Sequence, residues 1–401
     1  MTTPNQDFIN KAVVTTDAIA SAGKLNPQQA KMFIDYVVDE TGLLKTPGVR
    51  VARFRNESWE VDKIGLSNRV AVPHTEAADP GVRNAVTHSK VSLTPKAIMI
   101  PFEISELYMQ HNIEGGSVED TILRMMARQV ANNLEQLYWY GNTLGPAIAQ
   151  SEWPGGGSSS LYRKDTFYGL FNGLLKQAES GNVLNHANSD MDYTLISKMI
   201  NSMPNKFRMD KRALRLMMSM YHEQLYLENT STRATGLGDA VLNGGGTVMP
   251  FGVPFAPYSL LEHNPIHVEH ITLNGTTASA LTYTNMTDVV VTPSSLGTSA
   301  QAPYALTTDY TLDTTNGTIT RNGSGAIGSG HTVKVTYRTA GRQILTKPSN
   351  IVVGFGMDTM SIERDRNIFK RVNEFAIYLQ TDIIFEETSA VVLAKNIKNP
   401  F

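Results

Sequence analysis

Cysteine is absent from all 401 residues. That excludes disulfides, thiolate nucleophiles and cysteine-based zinc sites, and it leaves the redox compartment open. Net charge is nearly absent too. Thirty-five Lys and Arg against 37 Asp and Glu give −2, so no bulk field draws the chain to nucleic acid or to an anionic membrane. No window approaches eighteen consecutive apolar residues, and no membrane-spanning helix is expected. The opening stretch, MTTPNQDFINKAVVTTDAIASAG, has no basic start and no apolar run, so a secretory leader is not expected there. Catalytic motifs are missing as well. GxxxxGK[ST], HExxH and GxSxG do not occur, and GSGAIGSG lies between predicted strands, where it reads as a turn.

What is present is a globular composition, 41% apolar, on a chain long enough for two or three domains. Residues 1–26 are small and polar and read as an extended arm. NPQQAKMFIDYVVDETGLL then predicts a short helix. Asn26 is its N-cap, Pro27 its first residue, Met32, Phe33, Tyr36 and Val37 its apolar stripe, and Gly42 its end. Residues 47–91 alternate apolar and polar residues between turn formers, which predicts a long two-stranded ribbon. Such a ribbon is marginal alone in water, so it is expected to lie on another surface. Phe54, Trp59, Val61 and Lys63 are its candidate contact residues.

KVSLTPKAIMIPFEISELYMQHN predicts a strand and a helical turn with Ser105 as cap. VEDTILRMMARQVANNLEQLYWYGN follows, with apolar residues at Ile122, Met126, Val130, Leu134 and Leu137/Tyr138. That is helical spacing, and Gly141 stops it. Ser117 and Asp120 fit a capping box. Residues 167–261 read as mixed α/β: FYGLFNGLLKQAES and DYTLISKMINSMPNKFR as helices, ALRLMMS as a buried strand, MYHEQLYLENT as a helix. Residues 264–342 change character. They hold 18 Thr and only eight charged groups, with short strands between hairpin turns such as TTNGT. In TVKVTYR, Val333, Val335 and Tyr337 fall on one face. This predicts a small inserted β-sandwich, Ig-like in type. Residues from 343 on return to apolar strands.

Chemistry-bearing clusters are weak. His263, His267 and His270 are close in sequence but lack paired carboxylates, so ordinary packing outweighs a metal site. The methionines at Met125/Met126 and Met217/Met218 read as core filler, and Trp59 and Trp139 as packing anchors. Arg364, Arg366, Lys370 and Arg371 alternate with Glu363 and Asp365 and read as a solvated face. No catalytic, cofactor or metal residues are assigned.

The order of elements resembles the major capsid proteins of tailed bacteriophages, the HK97-type shell fold. The resemblance is carried by IMIPFEISELYM before the long helix, by LEQLYWYGN at its end, by YTLISKMINSMPNKFRMDKRALRLMMS, and by AIYLQTDIIFEETSAVVLA. It covers most of residues 25–261 and 343–397. It implies an α+β fold with these parts: an N-terminal arm and short helix (1–46), an E-loop ribbon (47–91), a P-domain (92–166) with a spine helix at 118–140, an A-domain (167–263), the inserted β-sandwich (264–342), and return strands (343–401). It implies a non-enzymatic major capsid protein that forms pentamers and hexamers of an icosahedral head. That head would enclose phage DNA without sequence-specific binding, without a cofactor or membrane, and would be assembled in the host bacterial cytoplasm. Scaffold, portal and decoration proteins are the expected partners. Lys63 and Lys90 lie on the predicted ribbon, but no crosslinking partner is identifiable, and the long charged scaffolding segment of some relatives is not expected. Two other readings stand beside this one: an encapsulin-like compartment of the same fold, and a carbohydrate-binding adhesin or tail protein built around residues 264–342.

Overall fold

The computed structural model describes residues 13–14, 43, 46–54, 59–66, 86–105, 118–144, 147–149, 162–164, 167–232, 249–294, 302–356 and 361–398. The chain begins with β1 (Val13–Val14), β2 (Arg50–Phe54), β3 (Trp59–Leu66), β4 (Val86–Leu93) and β5 (Lys96–Ser105). Helix α1 spans Val118–Tyr140, the range its apolar spacing predicts. Short strands β6 (Ala147–Ala149) and β7 (Tyr162–Lys164) pair with each other. Next come α2 (Leu174–Ala178), β8 (Asn182–Ser189), α3 (Tyr193–Ser202), α4 (Asn205–Arg208), β9 (Arg215–Ser219), α5 (Met220–Ser231) and β10 (Phe255–Tyr258).

Residues 266–339 contribute β11 (Ile266–Leu273), β12 (Ser279–Ala280), β13 (Met286–Pro293), β14 (Tyr310–Asp313), β15 (Thr318–Arg321) and β16 (His331–Thr339). The chain returns on β17 (Gly341–Thr346), β18 (Ile351–Gly356), β19 (Ser361–Asn367), β20 (Val372–Phe385) and β21 (Val392–Ile397).

A six-stranded sheet has the order β1-β5-β20-β18-β2, with β19 also on β20. A five-stranded sheet has the order β10-β9-β17-β21-β8. Alternation along its strands divides it between two cores. Met217, Ile344 and Leu393 join the cluster that holds α1 and the six-stranded sheet. Leu216, Met218, Leu345, Val392 and Ala394 join the cluster under α3 and α5. A sheet covered on both faces needs uninterrupted apolar strands, and RLMMS and VVLA supply them. Helix α3 starts where the Asp192 side chain accepts from the Leu195 N–H at 2.9 Å and stops at Met203, before Pro204. Helix α5 starts on Ser219, which accepts from the His222 N–H at 3.2 Å.

Residues 266–339 build two three-stranded sheets, β11-β16-β13 and β12-β15-β14. Among the described residues their common core draws only on positions between Ile271 and Tyr337. Val333, Val335 and Tyr337 are all fully buried, as their alternation requires.

Several expectations need correction. The ribbon begins at Trp59 rather than at residue 47. Arg50–Phe54 instead pairs in parallel with β18, placing Phe54 opposite Gly356 at the edge of the six-stranded sheet. Alternation alone cannot separate a ribbon strand from a sheet-edge strand. Leu43 is helical and fully buried; the short helix expected before it, with Asn26, Pro27 and Gly42, lies outside the described residues. The expected helix FYGLFNGLLKQAES shrinks to Leu174–Ala178, for the reason given below at Gly173. Strand β8, NVLNHANS, was not foreseen. It is polar, with positive φ at Ala187 and Asn188, and reads as a loop. The proposed caps Ser117 and Asp120 and the turn after Ser105 lie outside the residues whose side chains are described, and Ser105 itself ends β5.

Candidate functional site

The C-terminal end of α1 is where the three bodies of the chain meet. Its last turns bury Val130, Leu134, Leu137, Tyr138 and Trp139. Tyr138 stacks near Phe171 at 6.2 Å, and its hydroxyl shares a 2.6 Å hydrogen bond with Thr381 of β20. Trp139 meets Tyr258 of β10 at 5.1 Å. The Tyr140 hydroxyl accepts from the Glu262 N–H at 2.6 Å. The three aromatics thus point to the six-stranded sheet, the five-stranded sheet and the segment leading to β11. Burial pushes the Tyr138 and Tyr140 hydroxyls well above their ordinary pKa and that of Tyr258 up to about 12. All three hydroxyls stay neutral.

The helix ends because two glycines touch. The Gly141 N–H donates to Leu137 at 2.9 Å, and the Gly173 N–H donates to the Gly141 carbonyl at 2.8 Å. A Cβ on Gly173 would lie 2.7 Å from the Tyr138 carbonyl oxygen and 2.8 Å from the Gly141 nitrogen. This backbone-to-backbone contact explains why the helix expected around Gly173 starts only after it.

A second junction joins residues 266–339 to the rest. Arg342 lies 5.1 Å from the Tyr283 ring and 3.4 Å from Glu179, a cation–π contact and an ion pair across the boundary. His267 stacks on Tyr283 at 4.1 Å and bonds the Thr339 hydroxyl at 3.0 Å. His270 bonds Ser294 at 2.7 Å, and His263 stacks on Tyr221 at 4.2 Å. The three histidines therefore have separate partners. Among the described residues no three potential ligands come together to hold a metal.

His222 is fully buried beneath Gly341, where a Cβ would fall 2.1 Å from its ring. Burial, with His263 nearby, lowers its pKa to about 4. The unfolded chain binds that proton near pH 6.5. Stability from neutral His222 is therefore complete above about pH 6.5 and is lost as pH falls toward 4. Glu269 and Asp382, whose pKa values burial raises, act in the opposite sense. The expected result is a difference: between pH 6.5 and 4.5 wild type loses up to ~1.4 kcal/mol per pH unit more than His222→Gln, read from denaturant midpoints. Equal slopes would refute it.

The ribbon carries three of the four candidate contact positions. Trp59, Val61 and Lys63 sit opposite Leu93, Val91 and Ser89. Phe54 is separated from them, as noted above. At the base of the ribbon an open cleft of about 600 Å³ is lined by Val91, Thr94, Lys96, Lys176, Gln177 and Asp382 among others.

One exposed apolar feature was missed. The turn between β19 and β20 presents Ile368, 72% exposed, and Phe369, fully exposed. The available signal was an apolar pair inside the charged run ERDRNIFKRVNE. Among the described residues no other exposed large hydrophobic is as exposed as Phe369.

No family model matches the chain. Over 400 residues it is 25% identical to the "Putative prophage capsid protein YqbE" of Bacillus subtilis (strain 168), covering 98% of this chain and 99% of that one. Among solved structures, the satellite phage P4 procapsid including size determination (Sid) protein superposes with TM-score 0.51 at 9% identity, over 95% of this chain and 96% of the other. The capsid of Myoviridae phage XM1 gives TM-score 0.50 at 10% identity, over 90% and 93%.

Proposed function

From the HK97-type shell fold of this chain, we infer that it is a major capsid protein forming the head shell of a phage or prophage. The observation that carries the reading is the end-to-end likeness to a prophage capsid protein on that fold. The geometry supports it. The β3–β4 ribbon pairs only with itself among the described residues, and two-stranded ribbons need a surface. The β19–β20 tip leaves Phe369 bare. Both suit a chain that completes itself on neighbouring copies.

Head-to-tail contacts that close after a fixed rotation give rings, and rings of five and six together close a shell. Each contact is weak, but many per copy form at high effective concentration once the first is made. The enclosed cargo is DNA held without sequence readout, in keeping with a net charge of −2. Negative-stain microscopy of the purified chain tests this. Closed particles of uniform diameter are expected; a sample that stays single-copy when concentrated ends the reading.

The ribbon anchors the contact through Trp59, Val61 and Lys63. Trp59→Asp is expected to remain soluble and lose closed particles. Normal particles from that variant would remove the ribbon from the assembly surface. Residues 264–342 form the inserted β-sandwich and fold by themselves, since their core is self-contained. Expressed alone, the segment is expected to show dispersed amide resonances of β type, and a random-coil spectrum would refute its autonomy.

A further inference from the structure

The turn between α3 and β9 carries charge that the fold of one copy does not use. Met203 and Leu214 are buried at its ends, yet neither α4 nor the 3-10 turn Lys211–Ala213 between them buries a side chain. The stretch holds Lys206, Arg208, Lys211 and Arg212 against Asp210 alone. Among the described residues none of these four cations is in an ion pair. Lys206 lies over the Phe207 ring at 4.5 Å, and Arg208 donates to the Asn201 amide oxygen at 3.4 Å. Elsewhere cations meet carboxylates of their own copy: Lys90 meets Glu60, Arg50 meets Glu386 and Lys398 meets Asp190.

Apolar side chains stand beside the four cations. Met209, next to Arg208, is 88% exposed. The 3-10 turn packs against Pro250–Gly252, which brings Met249 and Phe251, each 48% exposed. Phe251 has φ +55°, a backbone region costly for an aromatic residue and free of cost for glycine. The chain keeps a half-exposed ring there, and strain held at a surface turn points to a contact.

Exposed Met and Phe beside unpaired cations favour a protein over a phosphate backbone, which charge alone would hold. The charge asks for acidic side chains. Carboxylates such as Glu60, Asp190 and Glu386 of a second copy are already engaged with its own cations, which favours a different molecule. We propose that the basic, Met209-bearing surface is a docking site for a separate protein, through a segment in which acidic side chains flank apolar ones. Apolar contact supplies the affinity, and charge sets approach and register. The site needs only the folded copy and stands apart from the shell reading.

Two synthetic peptides and a DNA duplex test it. One peptide alternates Glu with Leu and Phe; the other has the same length and charge with Gly in place of the apolar residues; the duplex is of random sequence. Fluorescence anisotropy with the full-length, unassembled chain at physiological salt is expected to show the first peptide binding about tenfold or more tighter than either other probe. Met209→Ser and Lys211→Gln/Arg212→Gln are each expected to weaken that binding about tenfold with the unfolding midpoint unchanged. Both variants are expected to form closed particles as wild type does. No binding of the first peptide at about 100 μM, equal binding of the two peptides, tighter binding of the duplex, or binding untouched by either variant overturns the proposal. Particles lost in the variants but formed by wild type would make the surface a contact between copies, which also overturns it. The binding measurements are read whether or not wild type forms particles, so their failure is distinct from a failure of the shell reading.

Discussion

Replacing Phe369 with Asp is expected to abolish closed particles while leaving the unfolding midpoint of the unassembled chain unchanged. The side chain is fully exposed and Ile368 beside it is 72% exposed, so its removal takes nothing from the fold of one copy. If the tip is an assembly contact, the same ring is covered in the shell. Burying it is worth about 1.5–3 kcal/mol per contact, and an aspartate left in an apolar contact costs further free energy. Repeated at every copy, that difference decides closure, because assembly sums many weak contacts. Sedimentation of the variant is expected to show small species only, with thermal unfolding like that of dissociated wild type. Full-size particles from the variant would show that the tip faces solvent in the shell. A lowered midpoint would show that the tip serves the single copy instead.

Gly173→Ala is expected to act in the opposite way, on the single copy before any assembly. The added methyl meets three backbone atoms of α1 and Gly141 at 2.7–2.9 Å. Backbone atoms cannot rotate away as a flexible side chain can, so either the end of α1 or the start of α2 must shift. Overpacking costs about 1–3 kcal/mol, occasionally more, and this site belongs at the upper end. The expected result is a fall of several degrees in the midpoint of the dissociated chain, at ~2–4 °C per kcal/mol. Because α1, the six-stranded sheet and the segment toward β11 all register on that corner, particle yield falls with it. A midpoint within about a degree of wild type would show that the corner yields.

The parts that were legible in the sequence share a physical property: one local period dictated by one core. Helix α1 is legible because Val130, Leu134, Leu137 and Tyr138 recur at helical spacing and Gly141 follows. Strand β16 is legible because three buried positions alternate with solvent. The illegible parts depend on something not local. Strand β8 is held by pairing with β21, not by its own polar residues. Gly173 breaks a helical pattern because a chain segment more than thirty residues earlier occupies the space. Phe54 follows β18, pairing with Gly356 far along the chain, into the six-stranded sheet. The assembly surface is the extreme case. As proposed contacts, Phe369 and Trp59 would serve what another molecule brings to them, and a single chain read alone carries only faint marks of that, such as an apolar pair in a charged run.

Strand β20 has a mechanical consequence. It runs unbroken from the hairpin tip at Val372 to Phe385, hydrogen-bonded to β5 from Ser105 to Lys96 on one side and to β19 and then β18 on the other. A tug at the tip directed along the strand loads those bonds side by side, in shear, instead of one after another as in unzipping. Stress at the rim of one copy is thereby delivered to the bonds from Gln177 to Ile383 and Phe385. The tip can work as a handle without the sheet behind it peeling open.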